Sequence, residues 1–174
     1  MCWQCDTGGT WQDYLELMRG LVATEGWAVV GVEGDGVHPP FAYTVGLTPR
    51  DRPELVVTGL DPCPATHLLN DAAEYVLETA IPEPGETMRI GDGPLMEIAR
   101  VAEPTAHLLV ATEFYGKLVR ALQLVYVDAR GHWPWCPEFH GGPGGQPVLG
   151  TRAGGGRAGS PRRAASPRRP LLLQ

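Results

Sequence analysis

Two rhythms of apolar and polar residues run through this chain, one at helical spacing and one alternating or unbroken as in strands. From Thr10, the positions Trp11, Tyr14, Leu15, Met18, Leu21 and Val22 make a single helical stripe. Thr10 suits the N-cap, Asp13 completes a capping box, and Gly26 suits the stop. WAVVGVE (27–33), FAYTVGL (41–47) and PELVVTGL (53–60) then read as strands, the first two separated by a GDG turn. A second stripe, Ala65, Leu68, Leu69, Ala72, Ala73, Val76 and Leu77, predicts a helix capped by Asp61, with Pro62 and Pro64 in its first turn. PEPG (82–85) ends it. ETMRI (86–90) and LMEIARVA (95–102) read as short strands, and Pro104 opens a helix that runs to Gly116. LVRALQLVYVD (118–128) is so continuously apolar that it belongs in the middle of a sheet.

The order is helix, three strands, helix, two strands, helix, strand. Short links between neighbouring strands predict an α+β domain: a mainly antiparallel sheet of about six strands with two or three helices packed on it. The regular strand–helix alternation of a flavodoxin-like parallel fold is missing. Past Gly150 the rhythm stops. TRAGGGRAGSPRRAASPRRPLLLQ has no apolar periodicity and repeats SPRR, so residues 1–150 read as one domain and 151–174 as a disordered basic tail.

Composition narrows the partners. A chain of 174 residues, 43% apolar, can bury a real core. Six of its 14 basic residues lie in the tail, leaving eight in residues 1–150 against all 20 acidic ones. Such a body repels a phosphate backbone, so only the tail could meet nucleic acid or an anionic surface, and its plainer reading is a solvated extension. No apolar stretch approaches a membrane span, and the start lacks the basic and apolar regions of a secretory signal. Four cysteines in this setting point to a reducing cytoplasm.

Three stretches carry candidate chemistry. MCWQCD places Cys2 and Cys5 at half of a zinc-site spacing; Cys136 and His140 are the candidate other half, with His132 close by. The plainer reading leaves both thiols idle in a small cluster around Trp3. A redox pair is disfavoured, because residues 6–9 separate the cysteines from the helix start that would lower a thiol pKa. VHPPFAYTVGLT offers His38, Tyr43 and Thr44. Its face of Ala42, Thr44 and Gly46, extended by Thr58 and Gly59, admits either a flat ligand or a closely packed helix. QLVYVDARGHWPWCPEF gathers Gln123, Asp128, Trp133 and Trp135 into a polar-aromatic corner, which suits either a pocket lining or a lid.

MCWQCD, HPPFAYTVGLT, PELVVTGL, ALQLVYVDARGHWPW and GGQPVLG, in this order, resemble a bacterial, largely actinobacterial family known as domain of unknown function 4262. The resemblance covers about residues 1–150. It implies no activity, substrate or cofactor. It does imply an aspartate after W-P-W where this chain has Cys136, which counts against a family-wide zinc ligand there. The residues point first to a binding or regulatory module for a small ligand or metal, since no acid–base or nucleophile constellation stands at a standard spacing. The alternative is a small-molecule enzyme using a flavin-like platform or an N-terminal cysteine thiolate.

Overall fold

A computed structural model describes residues 9–35, 37–141 and 145–151, together with the backbone of 162–164. The chain runs through α1 (Trp11–Glu25), β1 (Ala28–Val32), β2 (Phe41–Val45), β3 (Glu54–Thr58), α2 (Pro62–Glu78), β4 (Thr87–Ile90) and β5 (Met96–Val101). It continues through α3 (Pro104–His107), α4 (Leu109–Tyr115), β6 (Ala121–Tyr126), β7 (Gly150–Thr151) and β8 (Arg162–Ala164). This is the expected α+β order.

One sheet collects the strands in the order β1-β2-β3-β6-β5-β4-β8. Its pairings are antiparallel except β3 with β6 and β4 with β8. β7 lies beyond β4 along the same outer edge of β5. The parallel centre places Glu54 opposite Ala121 and Val56 opposite Gln123. Every residue of β3 and β6 is buried, as an unbroken apolar run requires of a strand covered on both faces.

Alternation along the strands separates two cores. Ala42, Leu55, Val57, Ile98, Leu122 and Leu124 meet the apolar stripe of α2 on one face. Tyr43, Val45, Val56 and Ala121 meet Leu15 and Met18 of α1 and Val110 and Ala111 of α4 on the other. The sheet is therefore the middle of three layers. Burial of these side chains is worth about 1.5–3 kcal/mol for each large one.

Local chemistry sets most element ends. The Thr10 hydroxyl accepts from Asp13 N at 3.2 Å, while the Asp13 carboxylate accepts from Thr10 N at 2.7 Å. Gly26, at φ 93°, closes α1 by donating to Val22 O.

The structure departs from the sequence reading at three places. The helix expected from Pro104 to Gly116 is broken at Leu108, whose φ −98° and ψ 69° leave the helical region while its side chain is fully buried. Core packing there outweighs helix continuity. Asp61 makes no side-chain cap bond to α2. Pro62 and Pro64 have no N–H, so that first turn offers fewer donors to cap. The last long strand is confined to Ala121–Tyr126, with a single 3-10 turn at Gly116–Leu118 before it. The expected tail disorder falls largely on residues 152–161 and 165–174, and Cys2 and Cys5 on residues 1–8, all outside the described residues. Within the tail, Arg162–Ala164 runs parallel to β4.

Candidate functional site

Several polar residues singled out in the sequence turn inward. The Tyr43 hydroxyl accepts from Val110 N at 3.1 Å, tying β2 to the start of α4, and burial pushes the phenol up to about 12. Thr44 is fully buried and donates at 2.7 Å to Glu54. Ala42 packs in the core formed with α2, so the small-residue face of β2 serves helix packing. Thr58 lies on the opposite face, beside Gln123.

Gln123 holds the returning chain. Its Nε2 donates to Thr58 Oγ1 at 3.0 Å and to Pro147 O at 2.7 Å, while its Oε1 accepts from Leu149 N at 2.7 Å. The Thr58 hydroxyl donates to the same Pro147 carbonyl at 2.8 Å. Gln146 pairs with the backbone of Tyr126 in both directions, at 2.9 and 3.0 Å. The stretch 145–149, QPVL with its leading glycine, is thus a strap stapled along the sheet centre.

A cleft of about 540 Å³ opens at the carboxyl ends of β3 and β6. The loop between β1 and β2 supplies one wall through His38, Pro39 and Pro40, and Leu60, Asp61 and Pro64 at the start of α2 supply another. Tyr126, Asp128, Phe139 and His140 complete it. Carboxyl ends of adjacent parallel strands are where chain connections diverge and leave a crevice. His38 is exposed and pairs through Nδ1 with Asp35 at 3.0 Å. The His38 ring, with the His38 and Val37 N–H groups, holds the Asp35 carboxyl well below its ordinary value. Burial, and the nearby Asp61, push Tyr126 up to about 12.

Asp128 organises the loop that forms the far wall. Its Oδ1 accepts from Arg130 N at 2.9 Å and His132 N at 2.8 Å, and its Oδ2 accepts from His140 N at 2.9 Å. The side chain is only 3% exposed. Burial alone would raise its pKa, but the three N–H donors and neighbouring His132 outweigh that and hold the carboxyl well below its ordinary value. His132 Nδ1 lies 3.3 Å from Asp128 Oδ2, and one ligand atom from each of Asp128, His132 and His140 falls within 4.8 Å of the others. Cys136 is half-buried outside that group and occupies the turns of the loop: its N–H donates to Trp133 O and its carbonyl accepts from Phe139 N. Trp133 and Trp135 stack on each other, ring centroids 5.1 Å apart and planes 6° from parallel.

Of the sequence candidates, His38, Asp128 and His140 therefore share the cleft. Tyr43, Thr44 and Gln123 are buried in the frame, and the two tryptophans pair outside the cleft wall. Sequence reasoning passed over Glu54 and Gln146 and took Asp61 for a cap. Glu54 had a signal, a lone charge opening an otherwise apolar strand.

The molecule is thus an α+β domain built on a two-sided sheet, with a polar cleft at the end of its parallel pair. It belongs to the family described as Domain of unknown function (DUF4262), whose model matches residues 21–140. That span contains Asp61, Asp128, His132 and His140. No curated protein and no solved structure matches the chain. Among the described residues, no helix is long and apolar enough to cross a membrane.

Proposed function

We propose that this protein is a small-ligand-binding module, and that its ligand seats in the cleft at the carboxyl ends of β3 and β6. One observation carries the reading: chain segments remote in sequence converge there and bring different chemistry. Pro39, Pro40, Pro64 and Phe139 offer apolar walls, and Asp61, Tyr126, Asp128 and His140 offer polar groups. A mostly apolar concavity with a few placed polar groups is the usual form of a small-molecule site.

The electrostatics favour a ligand with a cationic or donor-rich end. Asp61 is exposed on the cleft wall, and the prolines of α2 remove N–H groups that would otherwise attract an anion. A cytoplasmic setting belongs to the same reading, supported by Cys63 and Cys136 standing as free thiols.

Ligand-observed NMR with a fragment set rich in small amines tests it. Ala129 is exposed on the cleft wall, so Ala129→Trp plugs the space without touching either core. Fragments should bind the wild-type chain and be lost in that variant. Binding that survives the plug, or no binding at all, sinks the reading.

A further inference from the structure

We propose that Asp128, His132 and His140 bind a divalent first-row transition-metal ion on the wall of the cleft. The inference rests on the cleft reading for the open face that it gives the ion.

The spacing is that of ligands. Donors about 2.1 Å from one tetrahedral ion lie roughly 3.4 Å from each other. His132 Nδ1 and Asp128 Oδ2 are already 3.3 Å apart. The group closes within 4.8 Å, so His140, which is exposed, reaches the same ion by a side-chain adjustment.

The proton arrangement points the same way. His132 Nδ1 and Asp128 Oδ2 share a proton in a hydrogen bond at 3.3 Å, and an ion ligated by both takes the place of that proton, which is released. At His140 the Nδ1 faces the Glu138 carbonyl, which only accepts. With Nδ1 donating there, Nε2 is the nitrogen left to ligate. A ligating histidine that gives its other N–H to a backbone carbonyl is the standard supporting arrangement of metal sites.

The loop also fixes the main chains of the three residues before any ion arrives. The Asp128 carboxylate accepts the backbone N–H of both histidines, so the three residues are tied at their main chains as well as converging at their side chains. Two imidazoles and one carboxylate with no thiolate suit zinc, cobalt, nickel or ferrous iron, and three protein ligands leave at least one position for a molecule in the cleft.

Equilibrium dialysis of the full, reduced, metal-free chain against zinc chloride tests the site. Cys2, Cys5 and Cys136 are a second place for zinc, so the decisive comparison is between variants. A chain carrying Cys2→Ser, Cys5→Ser and Cys136→Ser should retain one zinc. Adding His140→Gln or His132→Gln to it should weaken uptake at least about tenfold, with an unchanged melting curve for the exposed His140→Gln. Cobalt(II) in the serine chain should show d–d bands without thiolate charge transfer. Zinc lost with the cysteines, zinc retained in either histidine variant, or no zinc at all overturns the proposal. No organic ligand is present in the dialysis, so its failure leaves the fragment result standing, and a failed fragment result leaves the zinc result standing.

Discussion

Thr44 and Glu54 face each other across the link between β2 and β3, and the threonine hydroxyl donates to the buried carboxylate at 2.7 Å. The other oxygen, Oε1, accepts from Gly46 N, Leu47 N, Thr48 N and Thr48 Oγ1 at 2.8–3.2 Å. Leu55 N donates in turn to Thr44 Oγ1 at 2.9 Å. This carboxyl sits in the protein interior as the common acceptor for a whole turn. Glu54→Ala strands three backbone N–H groups and two hydroxyls, and should lower stability by about 3 kcal/mol or more. Glu54→Gln keeps an oxygen for the four Oε1 donors and disturbs only the Thr44 bond, so about 1 kcal/mol is expected. Urea unfolding measures both; equal losses would show that the carboxylate is not the turn's acceptor.

Gln123 makes the corresponding prediction at the sheet centre. Gln123→Ala leaves Pro147 O with the Thr58 hydroxyl alone and Leu149 N without its acceptor. The expected loss is about 2–4 kcal/mol. Amide exchange should rise at Leu149 well before it rises in β3 or β6, because the strap's remaining tie to Gln123's strand, through Gln146, lies three residues earlier. Uniform loss across the sheet would mean that the strap does not open separately.

How much of this was legible in the sequence follows the range of the forces involved. The helical stripes of α1 and α2, the capping box at Thr10 and the central position of β6 rest on neighbours a few residues away, and the structure has them. The parallel pairing of β3 with β6 joins Glu54 to Ala121, and nothing local in either strand announces it. The break at Leu108 likewise depends on a core that only the finished fold creates. Within the site, Asp128 was legible as the polar end of an apolar strand. Its union with His132 and His140 was not, because it depends on how the intervening loop turns back through Trp133, Cys136 and Phe139. Gln123 was singled out as a ligand contact, but its partners are 24 and 26 residues further along, in the strap.

Gly59 shows where backbone freedom, rather than side-chain chemistry, limits change at the cleft. It sits at φ 74°, and a Cβ placed there would meet the Gly145 carbonyl oxygen within van der Waals radii and Gln146 Cα at 3.3 Å. Its N–H donates to Pro40 O at 2.7 Å, so the same residue joins the cleft's first loop to the strap. Gly59→Ala adds about 1–2 kcal/mol of left-handed strain to the cost of pushing the strap away. A total of about 2–4 kcal/mol is expected by urea unfolding, with fragment binding weakened as the cleft loop shifts. A neutral substitution would show that the strap packs less closely than the structure has it.

Two carboxylates should give the pH dependence of stability opposite slopes in successive ranges. His38 and the adjoining N–H groups depress Asp35 in the folded chain, so the unfolded chain binds its proton first on acidification. Stability from that group is present above the ordinary aspartate value and is lost as pH falls through the folded one. The pair is exposed, so the effect is small and fades with added salt. Glu54 is shifted the other way: burial raises its carboxyl, although Thr44, Thr48 and Gly46 pull it back. The folded chain then binds that proton more readily, and the contribution present below the ordinary glutamate value is lost as pH rises through the folded value. Urea unfolding from about pH 3 to pH 8 separates the two. Asp35→Asn should reduce the acidic rise only slightly, because Asp128 is also held below its ordinary value and contributes to it, and should leave the decline above it. Glu54→Gln should remove the decline and leave the rise. If Glu54→Gln instead flattens the loss of stability in acid, the donors around Glu54 outweigh its burial, and its carboxyl lies below the ordinary value in the folded protein.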